Sequence, residues 1–453
     1  MVFYGYNSSS WHRSYAFIFT IQRRIFKSSY ILDFKTSLIL QKLILQSNSA
    51  RLLSIRDVTQ ISSAKKVSGV DDKISLSFSE RFQLNEYVKK NLNNWFPSAL
   101  KKVLIINKEG NAQVCKIPTI SDRVWLELVR KSIEPAHEAT FHPRNFGFRV
   151  SRSLYEIQNS FFLNLSRASY GWQKRFLKLH LSDDFLSFDT NVVLNKIIVP
   201  RSIKLGILRS LKNGLYLSFS SLTFEIIPFI VLLSNIFFSG LESIHPCVKV
   251  GSEIIFFLKP NDDESKLIKN LEKFFSNIGI TIKGDFYLSS GSDGFEILVW
   301  YFKLSSYNNF ICLPALKDYR KFLLRFKRII NNSNYGSEVK ATKIFPLVKE
   351  WKFYHKFSFL KGSRFSLFYL KKKCLKTFSK ETKHDFYSSK KLMDKCFTKI
   401  SSSEIQSFER KTFLSPYFGH LIFCFGKSST KFIIYFQGKL NYFCIHCGMG
   451  FYV

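Results

Sequence analysis

Acidic residues are scarce in this chain. Asp and Glu total 33 of 453 residues against 68 Lys and Arg, which gives a formal net charge of +35. A field of this sign attracts polyanions, because each neutralised phosphate releases a counterion and so strengthens binding. The charge therefore favours nucleic acid as the partner over a membrane surface or an acidic protein.

Long uninterrupted apolar runs are also missing. The most apolar stretch, 224–238, contains Glu225, Pro228, Ser234 and Asn235. It is shorter than the roughly 20 residues that a membrane-spanning helix needs. We therefore predict a buried core helix here and no membrane partner. The hydrophobic content of 46 % can fill sizeable cores, which argues against disorder.

Cysteine, glycine and proline are sparse as well. The eight Cys lack the density of a secreted disulfide scaffold and predict reduced thiols in a reducing compartment. The 49 Phe outnumber the 20 Gly and 11 Pro, a bias typical of AT-rich codons and hence of an organelle genome. Residues 1–32 contain no acid, which fits either an imported transit segment or the same codon bias combined with RNA binding.

Hydrophobic periodicity predicts a mixed body of helices and strands. A Ser/Lys-rich stretch from about 377 to 403 is typical of a linker, and no internal repeats are evident. The predicted strands are 101–106, 113–117, 176–181, 247–258 and 295–304. The predicted helices are 29–56, 82–99, 123–141 and the strongly basic region from 318 to about 376.

A set of ordered motifs then stands in and after the predicted hairpin. In order and spacing they resemble the fingers of group II intron reverse transcriptases, and further matches extend the resemblance from about 29 to 397. The motifs are Ile117-Pro118-Thr119, Asp122-Arg123, Glu134-Pro135, Phe141, Gly147-Phe148-Arg149 and Arg152-Ser153.

The resemblance implies an α+β fold, with right-hand reverse-transcriptase-like fingers and palm followed by an α-helical thumb and maturase domain. The implied divisions are a basic N-terminal extension at 1–78, degenerate fingers and palm at 79–305, thumb and a domain X-like maturase region at 306–400, and a C-terminal tail at 401–453. The motif Pro346-Leu347-Val348-Lys349-Glu350-Trp351-Lys352-Phe353-Tyr354-His355 resembles the maturase domain.

The implied polymerase site has lost its ligands. Templated polymerases hold two Mg²⁺ ions with aspartates, but His180 stands at the first such position, five residues before Phe185, and Ser252 and Glu253 stand at the other two. Imidazole and hydroxyl groups do not replace hard anionic ligands. The neighbouring acids fall at the wrong offsets and are predicted to be solvated. They are Asp183, Asp184 and Asp189.

Another polymerase element is missing too. Where the family has a Pro-Gln-Gly-Gly element, this chain has Thr223-Phe224-Glu225-Ile226-Ile227. We therefore predict no catalytic residues, no cofactor and no small-molecule substrate.

Basic and aromatic side chains are the candidates for RNA contact. For Arg149 and Arg152 the alternative is a solvated face. For Trp351 and Tyr354, which share a predicted helix face with His355, the alternative is core packing. The remaining candidates are Lys321, Arg325, Lys327, Arg328, Lys349, Lys352, Lys356, Lys361, Arg364, Lys371, Lys372 and Lys373.

A Cys-x-x-Cys formed by Cys444 and Cys447 stands near the C-terminus, with Cys424 and His420 upstream. Family members carry a zinc-containing endonuclease domain there, but a zinc site needs four ligands at suitable spacing. We interpret this half-site as a degenerate remnant, with zinc binding as the alternative. No metal is assigned.

The resemblance implies a maturase that binds group II intron RNA, most simply its host intron, and promotes folding and splicing as a protein cofactor and not as an enzyme. An active reverse transcriptase and a general organellar RNA-binding protein or chaperone are the alternatives. The plastid is the preferred compartment, because degenerate maturases of this kind resemble those of algal plastids, and the mitochondrion is the alternative. Oligomeric state stays open.

Overall fold

A computed structural model places most of the chain. The described residues are 8–106, 112–149, 152, 154–181, 184–185, 188–280, 286–305, 307–360, 364–381 and 385–397, and, towards the C-terminus, 412–413, 417, 441–444 and 450–452. None of the helices in these ranges is long and apolar enough to cross a membrane.

Helices dominate the N-terminal region. The prediction of one helix over 29–56 is wrong, because the side chains of Asp33 and Ser47 accept backbone N–H groups and start new helices there. Ahead of them an unpredicted helix covers part of the acid-free segment. The helices are α1 (Ser8–Tyr30), α2 (Phe34–Gln46), α3 (Asn48–Arg56), followed by a π-helical turn (Asp57–Ile61), and α4 (Phe78–Asn91).

The predicted hairpin and the helix after it are confirmed. Strands β1 (Lys101–Ile106) and β2 (Ala112–Ile117) pair antiparallel. Thr119 then caps α5 (Ile120–Glu138) by accepting the backbone N–H of Asp122. Helix α5 is buried along most of its length, because α1, α2 and α3 pack against it. It is the centre of the N-terminal half.

Short helices and strands follow α5. They are α6 (Leu154–Leu165), β3 (Arg175–His180), β4 (Asp184–Phe185), α7 (Thr190–Lys196), α8 (Arg201–Lys212), β5 (Leu217–Ser218), α9 (Ser221–Ile226), α10 (Pro228–Phe237), β6 (Cys247–Val250), β7 (Glu253–Leu258), α11 (Glu264–Asn277), β8 (Phe286–Ser290), β9 (Phe295–Ile297), β10 (Trp300–Leu304) and β11 (Phe310–Pro314).

An antiparallel sheet in the order β6-β7-β3-β8, here called the central sheet, organises this part. Two predicted strands are in fact hairpins, because 247–258 turns at Gly251 and Ser252 and 295–304 turns at Leu298. The buried helix predicted within 224–238 is confirmed as α10. Strands β9, β10 and β11 form a second sheet that shares a core with the central sheet and α6.

The C-terminal helices pack around a core of their own, which includes Phe322, Trp351, Cys374 and Phe397. The linker predicted for 377–403 is wrong for 377–381 and 386–396, because these described residues are helical and Cys396 and Phe397 pack into this core. The elements are α12 (Leu316–Ile330), α13 (Ser337–Tyr354), α14 (Phe368–Glu381) and α15 (Phe386–Cys396), and then short strands β12 (Thr412–Phe413), β13 (Asn441–Cys444) and β14 (Gly450–Tyr452).

The hydrophobic cores show which regions of the chain pack together. One cluster runs from Ile18 to Ile278, so the helices within the 1–78 extension share a core with α5, α10 and one face of the central sheet. They are not a separately packed unit. The core of α12 to α15 begins at Phe322 and lies within the 306–400 division.

Candidate functional site

The three positions that are predicted to replace the polymerase aspartates lie next to one another. His180, at the end of β3, pairs directly with Glu253 at the start of β7. The next residue, Leu181, donates its backbone N–H to the carbonyl of Ser252 at 2.8 Å. Gly251 adopts a left-handed conformation with φ of +59°, which allows the tight turn between β6 and β7. The turn therefore brings the three predicted positions together at one end of β3 and β7.

The single carboxylate of this cluster is already engaged. Glu253 Oε1 accepts from Lys178 Nζ at 2.9 Å, and Glu253 Oε2 accepts from the backbone N–H of Leu298 at 2.9 Å. Lys178 also donates to the carbonyl of Glu296 at 2.6 Å. Glu253 thus fastens the β9–β10 turn to the central sheet. An imidazole, a hydroxyl and a carboxylate neutralised by an ammonium do not fit Mg²⁺, which prefers charged oxygen ligands.

The Gly-Phe-Arg motif lies directly on this turn. A Cβ atom on Gly147 would come within 2.6 Å of the backbone nitrogen of Gly251, so only glycine permits the approach. Asn145 accepts from the Gly147 N–H, and Asn235 donates to the Gly147 carbonyl. Phe148, in a left-handed conformation with φ of +51°, places its ring over Gly251.

A buried lysine lies close to this turn and was not predicted from the sequence. Lys249 in β6 is fully buried, and its ammonium lies 5.1 Å and 5.4 Å from the ring centroids of Phe219 and Phe238. Among the described residues its Nζ has no hydrogen-bond partner, and burial lowers its pKa to about 8. The signal was present in the sequence, because Lys249 is the one cation within the apolar run 247–258.

Two predicted phosphate contacts are wrong. The guanidinium of Arg149 is buried and pairs with Glu138 through bonds of 3.0 Å and 2.7 Å, and it also donates to the carbonyls of His142 and Asn145. Arg152 pairs with Glu156 at 2.9 Å, and only 1 % of its side chain is exposed. Both arginines therefore form ion pairs inside the protein, and the pair of Arg149 joins the motif to the end of α5.

The aromatic motif of α13 is mostly core. Trp351 stacks on Phe322 of α12 with centroids 4.5 Å apart, so the core alternative holds for this residue. His355 lies against Trp351 and is 2 % exposed, and burial lowers its pKa to about 4. Its prediction as an RNA contact is wrong for this reason. Tyr354 is half-buried, and its carbonyl accepts from the Trp300 indole at 3.1 Å.

The remaining basic candidates in the described chain lie on the C-terminal helices or between α13 and α14. On α12 the apolar face buries Phe322 and Phe326, while the opposite face is cationic. The ammonium of Lys352 donates to the carbonyl of Phe397 at 2.9 Å. The exposed candidates are Lys321, Arg325, Lys327, Arg328, Lys349, Arg364 and Lys372. The half-buried ones are Lys352, Lys356, Lys371 and Lys373.

The other residues singled out in the sequence have simpler roles or fall outside the described residues. Asp189 caps α7 by accepting the N–H of Asn191 at 2.8 Å. Asp184 lies in β4, and Cys444 ends β13. The predictions for Asp183, Lys361, His420, Cys424 and Cys447 concern positions outside the described residues.

Comparisons with known proteins agree with the motifs. Residues 6–88 match the family model of the N-terminal domain of reverse transcriptase. The chain is 44 % identical over 462 aligned positions to maturase-like protein 1 of Euglena gracilis, with 99 % of each chain covered. It is also 44 % identical to maturase-like protein 1 of Euglena longa, covering 98 % of this chain and 97 % of the relative.

Among solved structures, a telomerase of Candida albicans in complex with a fragment of telomeric RNA aligns with 70 % of this chain and 66 % of its own, at 10 % identity and a TM-score of 0.30. This likeness is too weak to decide the fold. The near full-length identity to the two Euglena relatives does decide the family: the chain belongs to the maturase-like protein 1 family, which is related to reverse transcriptases.

Proposed function

We propose that this protein is a group II intron maturase that binds intron RNA, stabilises its folded form and promotes splicing without polymerase activity. The RNA performs the transesterification, and the protein acts as its cofactor. The observation that carries this proposal is the Glu253 carboxylate held by Lys178 at 2.9 Å, at the position where a polymerase needs a metal ligand. Family membership and the charge of +35 support the proposed binding of intron RNA.

In this proposal the central sheet corresponds to a palm, β1 and β2 belong to the fingers, and α12 to α15 correspond to the thumb and maturase domain. A palm of this kind is a scaffold. Mg²⁺ would find at most one anionic ligand at the turn, and that ligand already has a cation beside it, so in-line displacement has no electrostatic support.

Helix α12 supports binding of structured RNA. Its cations Lys317, Lys321, Arg325 and Arg328 recur about once per turn, or every 5.4 Å, along the solvent side of an amphipathic helix. Such a stripe neutralises successive phosphates and permits close packing of RNA helices. Selectivity then comes mainly from RNA shape, because side chains do not reach base edges in the deep groove of A-form helices.

The test compares the full-length protein on its host intron, on other group II introns of the same organelle and on unrelated RNA of equal length at physiological ionic strength. We expect tighter binding to intron RNA and faster splicing when protein is added. Equal binding to all RNAs would favour a general chaperone. Template-length cDNA in a Mg²⁺ primer-extension assay would instead identify an active reverse transcriptase.

We further propose that the gene lies inside a group II intron of a plastid genome. The residue bias towards AT-rich codons supports an organelle gene. Mapping the gene in organelle DNA tests this directly, and a position in mitochondrial DNA would overturn the plastid assignment.

A further inference from the structure

Two exposed aromatic pairs stand at the starts of two successive helices. Phe368 and Tyr369 begin α14 and are 65 % and 76 % exposed, and Phe386 and Tyr387 begin α15 and are 61 % and 76 % exposed. Large aromatic side chains are normally placed where they bury area, and these four do not contribute to the core of α12 to α15. Their exposure therefore indicates that they contact a binding partner.

Each pair is followed by the same pattern of lysines. The chain reads Phe-Tyr-x-x-Lys-Lys both at 368–373 and at 386–391. Since i and i+4 share a helix face, each ring has an ammonium one turn further along the same side. Lys372, Lys390 and Lys391 are exposed, and Lys373 is half-buried. No described carboxylate lies within 4 Å of these four ammonium groups.

Helices α14 and α15 run antiparallel. The Lys371 ammonium near the start of α14 lies 5.8 Å from the ring of Phe397 just after the end of α15. The two aromatic pairs therefore lie at opposite ends of the helix pair. Their separation is about the length of α14, which has 14 residues and so measures about 20 Å. At 3.4 Å per stacked base this is a span of about six nucleotides.

We propose that the two Phe-Tyr pairs are stacking sites for unpaired RNA nucleotides, each with its lysines holding the adjoining phosphates. Exposed rings stack on bases without regard to sequence, and the nearby ammonium groups neutralise the backbone. A duplex hides the faces of its bases in the stack, so the partner with matching chemistry is a single-stranded segment. This inference rests on the proposed RNA-binding function and assigns a particular part of the RNA to this surface.

The experiment uses full-length protein and measures affinity by fluorescence anisotropy. The probes are a 12-nucleotide unstructured RNA, a 4-nucleotide RNA and a 12-base-pair RNA duplex. The variants are F368A/Y369A, F386A/Y387A and all four together. The control is Y307A, which removes a Tyr that is 81 % exposed but lacks a lysine four residues further on. Melting temperatures establish that every variant is folded.

For the 12-nucleotide RNA we expect each double variant to lose at least about tenfold in affinity, and the quadruple variant to lose more, because each substitution removes a ring on which a base stacks. The 4-nucleotide RNA is too short to bridge both sites. It should therefore still bind each double variant at the aromatic pair that remains. The affinity of the variants for the duplex should change less than twofold. The affinity of Y307A for the 12-nucleotide RNA should also change less than twofold. The variants F368W and Y369F, which keep the rings, should retain single-strand affinity.

Equal losses on duplex and single strand, or no loss on either, would overturn the stacking sites. The outcome is separate from that of the proposed function. A protein that binds single strands through these rings but does not prefer intron RNA would refute the maturase role and keep the stacking sites. A protein that prefers its intron and is insensitive to the four substitutions would do the reverse.

Discussion

The ammonium of Lys178 and the carboxylate of Glu253 lie 2.9 Å apart across the central sheet, and Glu253 stands at a position that we propose to correspond to a metal ligand of reverse transcriptases. The protein itself thus supplies the cation that neutralises Glu253. The side chains of both residues are 19 % exposed, so the pair is shielded from most of the solvent. Its contribution is structural, because Glu253 also receives the N–H of Leu298 and so fixes the second sheet.

Replacing Glu253 by Gln should lower the free energy of unfolding by about 1–2 kcal/mol, because the neutral amide still accepts from Leu298 but loses its charge-assisted bond to Lys178. Urea unfolding followed by circular dichroism measures this. The matched control is Glu272→Gln on the exposed side of α11, which should change the free energy by less than about 0.5 kcal/mol. Equal midpoints for the two variants would show that the pair contributes nothing.

Arg149 offers a direct contrast between a sequence-based role and a structural one. Arg149→Met should cost about 3–5 kcal/mol of stability, because the Glu138 carboxylate is left buried without its cation. Adding Glu138→Gln should restore part of the loss. Intron affinity measured on the folded fraction should be unchanged. A variant with native stability and weaker RNA binding would return Arg149 to the phosphate-binding surface.

The cations of α12 should contribute to RNA binding and not to stability, the reverse of what is expected for Arg149. Replacing both Lys321 and Arg325 by Ala should leave stability almost unchanged, since both are exposed, but should weaken intron binding. The slope of log K against log salt should become shallower by about 1.4–1.8, the loss of two phosphate contacts. The same double change at Lys266 and Lys269, which are exposed on α11, serves as the control. Indistinguishable slopes for the two pairs would remove α12 from the interface.

Acid should destabilise the protein through buried histidines. Burial lowers the pKa of His137 from 6.5 to about 3, and its Nε2 accepts from the N–H of Ile198. The unfolded chain binds this proton near pH 6.5 and the folded chain does not, so stability falls as the pH drops from 6.5 towards 3. One pH unit below 6.5, His137 alone accounts for about 1.4 kcal/mol.

The measurement is urea unfolding of the wild type and of His137→Gln between pH 7.5 and 5.5. Gln keeps an acceptor for Ile198 but does not titrate, so its stability should decline less with acid. Parallel pH profiles for the two proteins would contradict the assignment. His355, whose pKa falls to about 4 by burial, should add a similar and separate slope.

Local patterns predicted those features that depend on neighbours along the chain. The hairpin at β1 and β2, the Thr119 cap of α5 and the buried helix α10 follow from turn chemistry, capping and apolar content. The assignment of His180, Ser252 and Glu253 to the polymerase positions was also made from motif spacing, and it stays a prediction. Breaks at Asp33 and Ser47 were missed, since a helical apolar period continues across both caps.

By itself the sequence determined the charge and the family and predicted the loss of polymerase ligands, because these depend only on which residues are present and in what order. Only the tertiary structure decided which cations are available to RNA. Arg149 and Arg325 are the same residue type, yet one is desolvated in an ion pair with Glu138 and the other faces solvent. Desolvation depends on contacts between distant segments, such as Lys178 with Glu253 75 residues later, and no local pattern encodes them.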